Sequence, residues 1–148
     1  MKSKLYALIA VLIAAMLLSS CRLTVVRPVV KDGDSGGYYS VYLTVSAKYY
    51  EGEEMSLAEY MAAVSEAGEF SYEAEASDYG AYLTSVNGRA ADEANREFWS
   101  LYTSNETYNG GFGDTYEFGG KTLYPASLGM DGLPVEVGEV VAFILMTW

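Results

Sequence analysis

Histidine is absent from this chain, and cysteine occurs once, at position 21. Histidine is the commonest general base in enzymes and the commonest transition-metal ligand in proteins. Without it, and without a second thiol, the chain lacks the residues for hydrolytic triads, for zinc or iron centres and for an internal disulfide. We therefore predict a protein that is not an enzyme, holds no metal and carries no bound cofactor.

Basic residues are also scarce. Nine Lys and Arg stand against twenty Asp and Glu, which gives a net charge of −11 at pH 7. A surface of this sign repels phosphate groups, so nucleic acid and anionic lipid headgroups are poor partners. Adjacent carboxylates such as Asp92 and Glu93 are expected to form a solvated acidic surface rather than an acid and base pair.

The start of the chain has the pattern of a bacterial lipoprotein signal. Two lysines precede an apolar run, residues 5–18, which is shorter than the roughly 20 residues of a membrane span. The run ends at Leu18-Ser19-Ser20-Cys21, which resembles a lipobox. We predict that residues 1–20 are a signal peptide and that lipid on Cys21 anchors the protein to an extracytoplasmic membrane surface. The alternative is an ordinary signal peptide or an uncleaved anchor.

Beyond the signal, composition divides the chain into a tether and one domain. Residues 21–37 include Pro28 and a polar, glycine-rich run, which is typical of a flexible tether. Residues 38–148 are enough for one domain with a hydrophobic core and too few for two. The mature chain would carry seven basic and twenty acidic residues, a net charge of −13.

Hydrophobic periodicity predicts one helix among several strands. Alternation predicts a strand over Tyr38–Ala47, and a capping box at Ser56 and Glu59 predicts an amphipathic helix over Ser56–Ala67. Four further segments are predicted as strands: Phe70–Ala74, Ala81–Val86 with its turn at Asn87-Gly88, Phe98–Tyr102, and Gly138–Trp148 as a central, doubly covered strand.

Two segments of the domain lack a clear strand pattern. Residues 92–97 are expected to form a helical turn. Residues 103–134 contain seven of the fifteen glycines and little periodicity, so they are expected to form a long loop with a functional or mobile role. The order of elements predicts an α+β fold, a mixed sheet crossed by one helix, as in a β-grasp-like domain.

Tyrosine is over-represented, and 13 of the 14 tyrosines lie beyond the signal. Tyrosine supplies rigid, amphipathic contact area, which suits a binding surface. The alternative is that these tyrosines simply fill half-buried positions on strands.

Three separated segments together resemble a known family. They are Tyr79–Gly88 (YGAYLTSVNG), Phe98–Tyr102 (FWSLY) and Ser127–Asp131 (SLGMD), with Pro134–Gly138 behind the last. In this order they are similar to the domain at the carboxyl end of transcobalamin and intrinsic factor, which also stands alone in many bacterial surface proteins. The predicted helix sits where this family has its short helix.

The resemblance covers roughly residues 38–148 and implies a β-grasp-related fold. In the vertebrate members one face of this domain closes over cobalamin, and a helical barrel domain supplies the other half of the site. This chain has no such barrel, so a corrinoid would meet half a site unless a partner protein or a second copy completes it.

The expected ligand-binding residues lie on the aromatic strand and on the loop opposite it. Trp99 and Tyr102 are expected to stack on or flank a large planar ligand, and Leu128, Gly129 and Met130 to offer backbone amides and an apolar edge. The alternative is that Trp99 is a core aromatic and that Gly129 only permits a turn.

Two functions follow as hypotheses. The first is a lipid-anchored, extracytoplasmic ligand-binding protein that captures cobalamin, another corrinoid or another bulky nutrient and passes it to a transporter. The second is a cell-envelope interaction module that binds a protein or glycan and no small molecule.

Overall fold

The computed structural model describes residues 29–32, 38–52 and 54–148, and the following statements concern these residues. They form mostly β-strands with a single α-helix, which agrees with the predicted α+β class. The elements in chain order are β1 (Val29–Asp32), β2 (Tyr39–Thr44), β3 (Met55–Ser56), α1 (Leu57–Glu66), β4 (Tyr72–Ser77), β5 (Gly80–Val86), β6 (Arg89–Ala90), a 3-10 turn (Glu93–Asn95), β7 (Glu97–Thr103), a second 3-10 turn (Glu106–Tyr108), β8 (Tyr116–Phe118), β9 (Lys121–Pro125), β10 (Pro134–Val135) and β11 (Val140–Thr147).

One large sheet and two small ones organise the strands. The large sheet has the order β1-β2-β11-β7-β9-β8, with antiparallel neighbours throughout. The prediction of a mixed sheet is therefore wrong for the described residues. A three-stranded sheet contains β4, β5 and β6, and β3 pairs with β10. The predicted strands at the start and end of the domain and the aromatic strand between them are confirmed as β2, β11 and β7.

The last strand is the centre of the large sheet. β11 pairs with β2 on one side and with β7 on the other, and its residues Val140–Leu145 are all buried. A strand with both edges paired and both faces covered tolerates apolar side chains at every position. The prediction of a central, doubly covered strand is therefore confirmed.

The helix begins at the predicted capping box. The Ser56 hydroxyl accepts a hydrogen bond from the backbone N–H of Glu59, and the Glu59 carboxylate accepts one from the N–H of Ser56 at 2.8 Å. The bond from the Ser56 N–H, together with one that the Ser56 hydroxyl donates to the same carboxylate at 3.0 Å, lowers the pKa of the Glu59 carboxyl by stabilising its charged form. The buried face of α1 consists of Leu57, Tyr60, Met61 and Val64, which confirms the predicted amphipathic stripe.

Two groups of buried residues cover the two faces of the large sheet. The first cluster joins alternate residues of β2, β7 and β11 to the helix and to the three-stranded sheet; examples are Leu43, Trp99 and Phe143. The second cluster uses the intervening residues of the same strands, including Tyr42, Tyr102 and Ile144. Because side chains alternate along a strand, one central sheet supports both clusters.

The three-stranded sheet contains the predicted Asn87-Gly88 turn. Both residues have positive φ angles, 48° and 78°, as a two-residue type I′ hairpin turn requires. β5 confirms the strand predicted over Ala81–Val86. β4 begins two residues later than predicted and extends to Ser77, and the helical turn expected over residues 92–97 is a 3-10 turn.

The prediction of a long loop over residues 103–134 is wrong. This segment contains the hairpin β8–β9, whose two-residue turn is Gly119-Gly120, with φ angles of 59° and 77°. The ring of Phe118 stacks on Tyr42 with centroids 4.0 Å apart. Three residues in β8 are too few to show periodicity, but the glycine pair is itself a hairpin signal.

The predicted tether also needs a correction, because Val29–Asp32 form β1, an edge strand paired with β2. The tether predicted over residues 21–37 is therefore wrong at residues 29–32, which form a strand. The signal over residues 1–20 and the lipidation site Cys21 lie outside the described residues. Among those that are described, no helix is both long and apolar enough to cross a membrane.

Candidate functional site

Trp99 and Tyr102 lie on β7 but on opposite faces of the large sheet, because they are three positions apart on one strand. Trp99 is 8% exposed and packs in the first cluster, whereas Tyr102 is 2% exposed and packs in the second. The structure therefore does not bring the two rings together, and the expectation that both flank one ligand is corrected.

Tyr102 is held within the second cluster. Its ring meets Tyr116 edge to face, with centroids 5.2 Å apart, and its hydroxyl lies 3.9 Å from the Met146 sulfur. Burial, with smaller contributions from Tyr116 and Asp114, raises the pKa of Tyr102 to about 12. These contacts make Tyr102 a core residue whose ring is not available to a ligand on the surface.

Trp99 and Met130, in contrast, come together. They line a small cavity of 150 Å³ with Ala81, Leu83 and Leu101, and Tyr82 forms part of its wall. Trp99 also meets Tyr39 edge to face at 5.9 Å, and within the described residues its indole N–H has no hydrogen-bond partner. The aromatic strand and the predicted loop thus meet at one point.

The predicted loop residues differ in their exposure. Met130 is 5% exposed and belongs to the first cluster, whereas Leu128 is 41% exposed and Gly129 is exposed to solvent. The Met130 carbonyl accepts a hydrogen bond from the N–H of Ala58 at 3.0 Å, in the first turn of α1. Of the three predicted loop residues, Leu128 and Gly129 are therefore accessible to a ligand in solvent, and Met130 is not.

A carboxylate that the sequence did not single out joins this loop to β5. The Asp131 side chain accepts a hydrogen bond from the N–H of Ala81 at 2.8 Å. Gly80, with a φ of +101°, precedes this contact, and a Cβ at Gly80 would lie 3.4 Å from the same carboxylate oxygen. Glycine at position 80 is thus explained by a backbone conformation that L side chains rarely adopt and by the close approach of the Asp131 loop.

A larger cleft lies alongside, between the three-stranded sheet and the start of β7. Its volume is 740 Å³, and we call it the glutamate cleft. It is lined by four glutamates, three aromatic residues and a few small or apolar residues: Glu73, Glu75, Glu93, Glu97, Tyr82, Phe98, Trp148, Leu83, Thr84, Ala90 and Ala91.

Among the residues that the structure describes, only one of the four cleft carboxylates has a cationic partner. Glu97 forms an ion pair with Arg89 at 2.9 Å, and Glu75 accepts a hydrogen bond from the Tyr82 hydroxyl at 2.8 Å. The bond to Glu75 raises the pKa of Tyr82. The carboxylates of Glu73 and Glu93 have neither an ion pair nor a hydrogen bond within the described part of the chain, and both residues are exposed, as expected of the solvated acidic surface predicted at Glu93.

The aromatic wall of the glutamate cleft is built from two distant parts of the chain. Phe98 stacks on Trp148 with centroids 5.2 Å apart, and the N–H of Trp148 donates to the Arg96 carbonyl at 3.3 Å. Trp148 remains 73% exposed and Tyr82 48% exposed. In the described ranges, no group of three or more Asp, Glu, His or Cys is arranged to hold a metal ion.

No protein-family model matches this sequence, and no curated protein is significantly similar to it.

Proposed function

We propose that this chain is a lipid-anchored, extracytoplasmic ligand-binding protein with a transcobalamin C-terminal-like, β-grasp-related domain. The observation that carries the proposal is the convergence of the three segments of the resemblance. Ala81, Trp99 and Met130 come from different segments and line one cavity. The bond between Asp131 and Ala81 further joins the first of these segments to the last.

The position of the helix supports the β-grasp assignment. α1 packs on the first face of the large sheet through a continuous apolar stripe, as the short helix of such a fold does. The small sheet and the loop then cover the rest of that face. This layout fits a domain that offers a single surface to a ligand.

The cavity at Trp99 takes only part of a ligand. Sites that enclose drug-sized molecules measure roughly 300–1,000 Å³, and this cavity measures 150 Å³. A corrinoid or another bulky nutrient would insert one edge there and lie across exposed side chains of the same segments, such as Tyr79 and Leu128. A transporter or another envelope protein would cover the remaining side.

Calorimetric titration of the full chain in non-ionic detergent, with cobalamin and with its incomplete precursor cobinamide, tests this function. We expect saturable binding that weakens in Tyr79→Ala, because the ligand is proposed to lie across this ring. The ring is fully exposed, so its loss leaves the core intact. Phe112→Ala is the matched control, since it also removes an exposed aromatic side chain but lies outside every segment of the resemblance. Absence of saturable binding by either corrinoid would overturn corrinoid capture.

Anchoring needs its own test, independent of the ligand. In a bacterium that processes lipoproteins, the wild-type protein is expected to carry acyl chains on Cys21 and to sediment with membranes. Cys21→Ser is expected to lose the added mass and to leave the membrane fraction. An unmodified Cys21 in the wild-type protein would contradict the proposal.

The alternative function is a cell-envelope interaction module that binds a protein or glycan. It is favoured by the full exposure of Tyr79 and by the size of the cavity at Trp99, which is too small to enclose a nutrient. Such a module would bind neither corrinoid and would lose a macromolecular partner in Tyr79→Ala, with Phe112→Ala again as the control.

A further inference from the structure

The glutamate cleft has the size of a small-molecule site. Its 740 Å³ lies within the roughly 300–1,000 Å³ typical of ligand pockets. Its lining includes Leu83, Ala90 and Ala91, so an apolar ligand body would meet apolar side chains there. The cleft shares Tyr82 and Leu83 with the cavity at Trp99 but opens between different elements.

The charge of the cleft selects the sign of the ligand. Arg89 neutralises Glu97, which leaves the carboxylates of Glu73, Glu75 and Glu93 without a cationic partner in the described residues. The whole chain is acidic as well, with a net charge of −11. An anion would be repelled from this cleft, whereas a cation would be attracted and would form charge-assisted hydrogen bonds.

The aromatic wall adds a preference for organic cations. The faces of electron-rich rings attract ammonium groups, with Trp the strongest of the three aromatic residue types. Trp148 and Tyr82 both remain substantially exposed at the cleft, and Phe98, which also lines it, stacks on Trp148. The carboxylates and the exposed aromatic faces suit an ammonium group, and the apolar side chains of the lining suit a hydrocarbon chain attached to it.

The spacing of two carboxylates favours a ligand with two ammonium groups. Glu73 and Glu75 are two positions apart on β4 and both line the cleft. The irregularity in this sheet leaves Thr84 of β5 unpaired, so the alternation along β4 is kept. Residues i and i+2 of a strand lie roughly 7 Å apart, a distance that the ends of a short alkyl diamine can span.

We propose that the glutamate cleft is a binding site for a short alkyl diamine, with Glu73, Glu75 and Glu93 holding its ammonium groups and Tyr82 and Trp148 contacting its chain. The site adjoins the cavity at Trp99, but the proposal does not depend on corrinoid binding there. It gives the protein a second, cationic ligand class.

The test is titration of the full chain, in non-ionic detergent, with 1,4-diaminobutane. We expect saturable binding that weakens as ionic strength rises, weaker binding of butylamine, and none of the neutral butane-1,4-diol. The double variant Glu73→Gln/Glu93→Gln is expected to lose about tenfold or more in affinity, because each charge-assisted hydrogen bond contributes on this scale.

The matched control is Glu66→Gln/Glu106→Gln, which removes the same number of charges at exposed carboxylates outside the cleft. It is expected to bind the diamine like the wild type. Trp148→Ala is expected to weaken binding several-fold, and bound diamine should change the fluorescence of Trp148 in the wild-type protein. Equal losses in the two double variants would show non-specific attraction to an acidic surface and would overturn the proposal, as would the absence of saturable binding.

Discussion

The two faces of the large sheet are covered in different ways. Nineteen buried residues form the first cluster, beneath the helix, the small sheets and the loop around Met130, whereas six form the second, beneath the β8–β9 hairpin. The first face therefore contributes most of the apolar burial, which is the dominant favourable contribution to folding. The second is smaller, and aromatic contacts of Tyr42 with Phe118 and of Tyr102 with Tyr116 lie at its edge.

This difference separates stability from binding. Both cavities discussed above open on the side of the small sheet and the loop, and Trp99, not Tyr102, reaches one of them. Substitutions in the second cluster should therefore change folding without changing ligand contacts.

The largest effect is expected from Phe143→Ala on the first face. Phe143 is fully buried and stacks near Phe70, with centroids 5.5 Å apart, so its loss removes a large apolar group and leaves a cavity. The free energy of unfolding should fall by roughly 3–5 kcal/mol. Urea denaturation followed by circular dichroism measures the change.

A smaller, pH-dependent effect is expected from Tyr102 on the second face. Its pKa is about 12 in the folded protein against 10.0 for an ordinary tyrosine, so the folded state holds this proton more tightly than the unfolded state. The resulting stability is present below pH 10 and is lost as the pH rises from 10 to 12, a change of roughly 2 kcal/mol. In Tyr102→Phe the unfolding free energy should fall less steeply over this range.

Tyr79→Phe is the control, because it removes a hydroxyl from a fully exposed ring and should keep the wild-type slope. Identical slopes in wild type and Tyr102→Phe would contradict the burial of this hydroxyl.

The smallest of the three effects on the free energy of unfolding is expected from Phe118→Ala. This is the same substitution as Phe143→Ala, but it is made on the β8–β9 hairpin. Phe118 is only partly buried, but it stacks on Tyr42 with an interplanar angle of 5°. The loss should be about 1–2 kcal/mol, from the aromatic contact and a limited buried area. A loss as large as that of Phe143→Ala would show that the hairpin is as important to the core as the helix.

Local patterns account for the parts of the fold that the sequence predicts well. The hydrogen bonds between Ser56 and Glu59 define the start of α1, and the positive φ angles of Asn87 and Gly88 define a hairpin turn. Each signal involves residues only a few positions apart. For this reason, they can be interpreted without knowledge of the tertiary structure.

The site was predicted less well, for two physical reasons. The alternation of side chains along a strand already separates Trp99 from Tyr102, so that error was avoidable. The glutamate cleft was not predictable in the same way, since it needs the approach of Glu73 on β4, Glu93 in a turn and Trp148 after β11. No local pattern encodes such an approach.

The first turn of α1 has a consequence for the loop beside it. The N–H groups of Leu57 and Ala58 would have no partner within the helix, yet they donate to the carbonyls of Leu133 and Met130 at 2.8 and 3.0 Å. The helix thus fixes the loop at two points before any ligand arrives. Because the loop is already ordered, a ligand that touches Leu128 or Gly129 need not lose affinity to the entropy of arranging it.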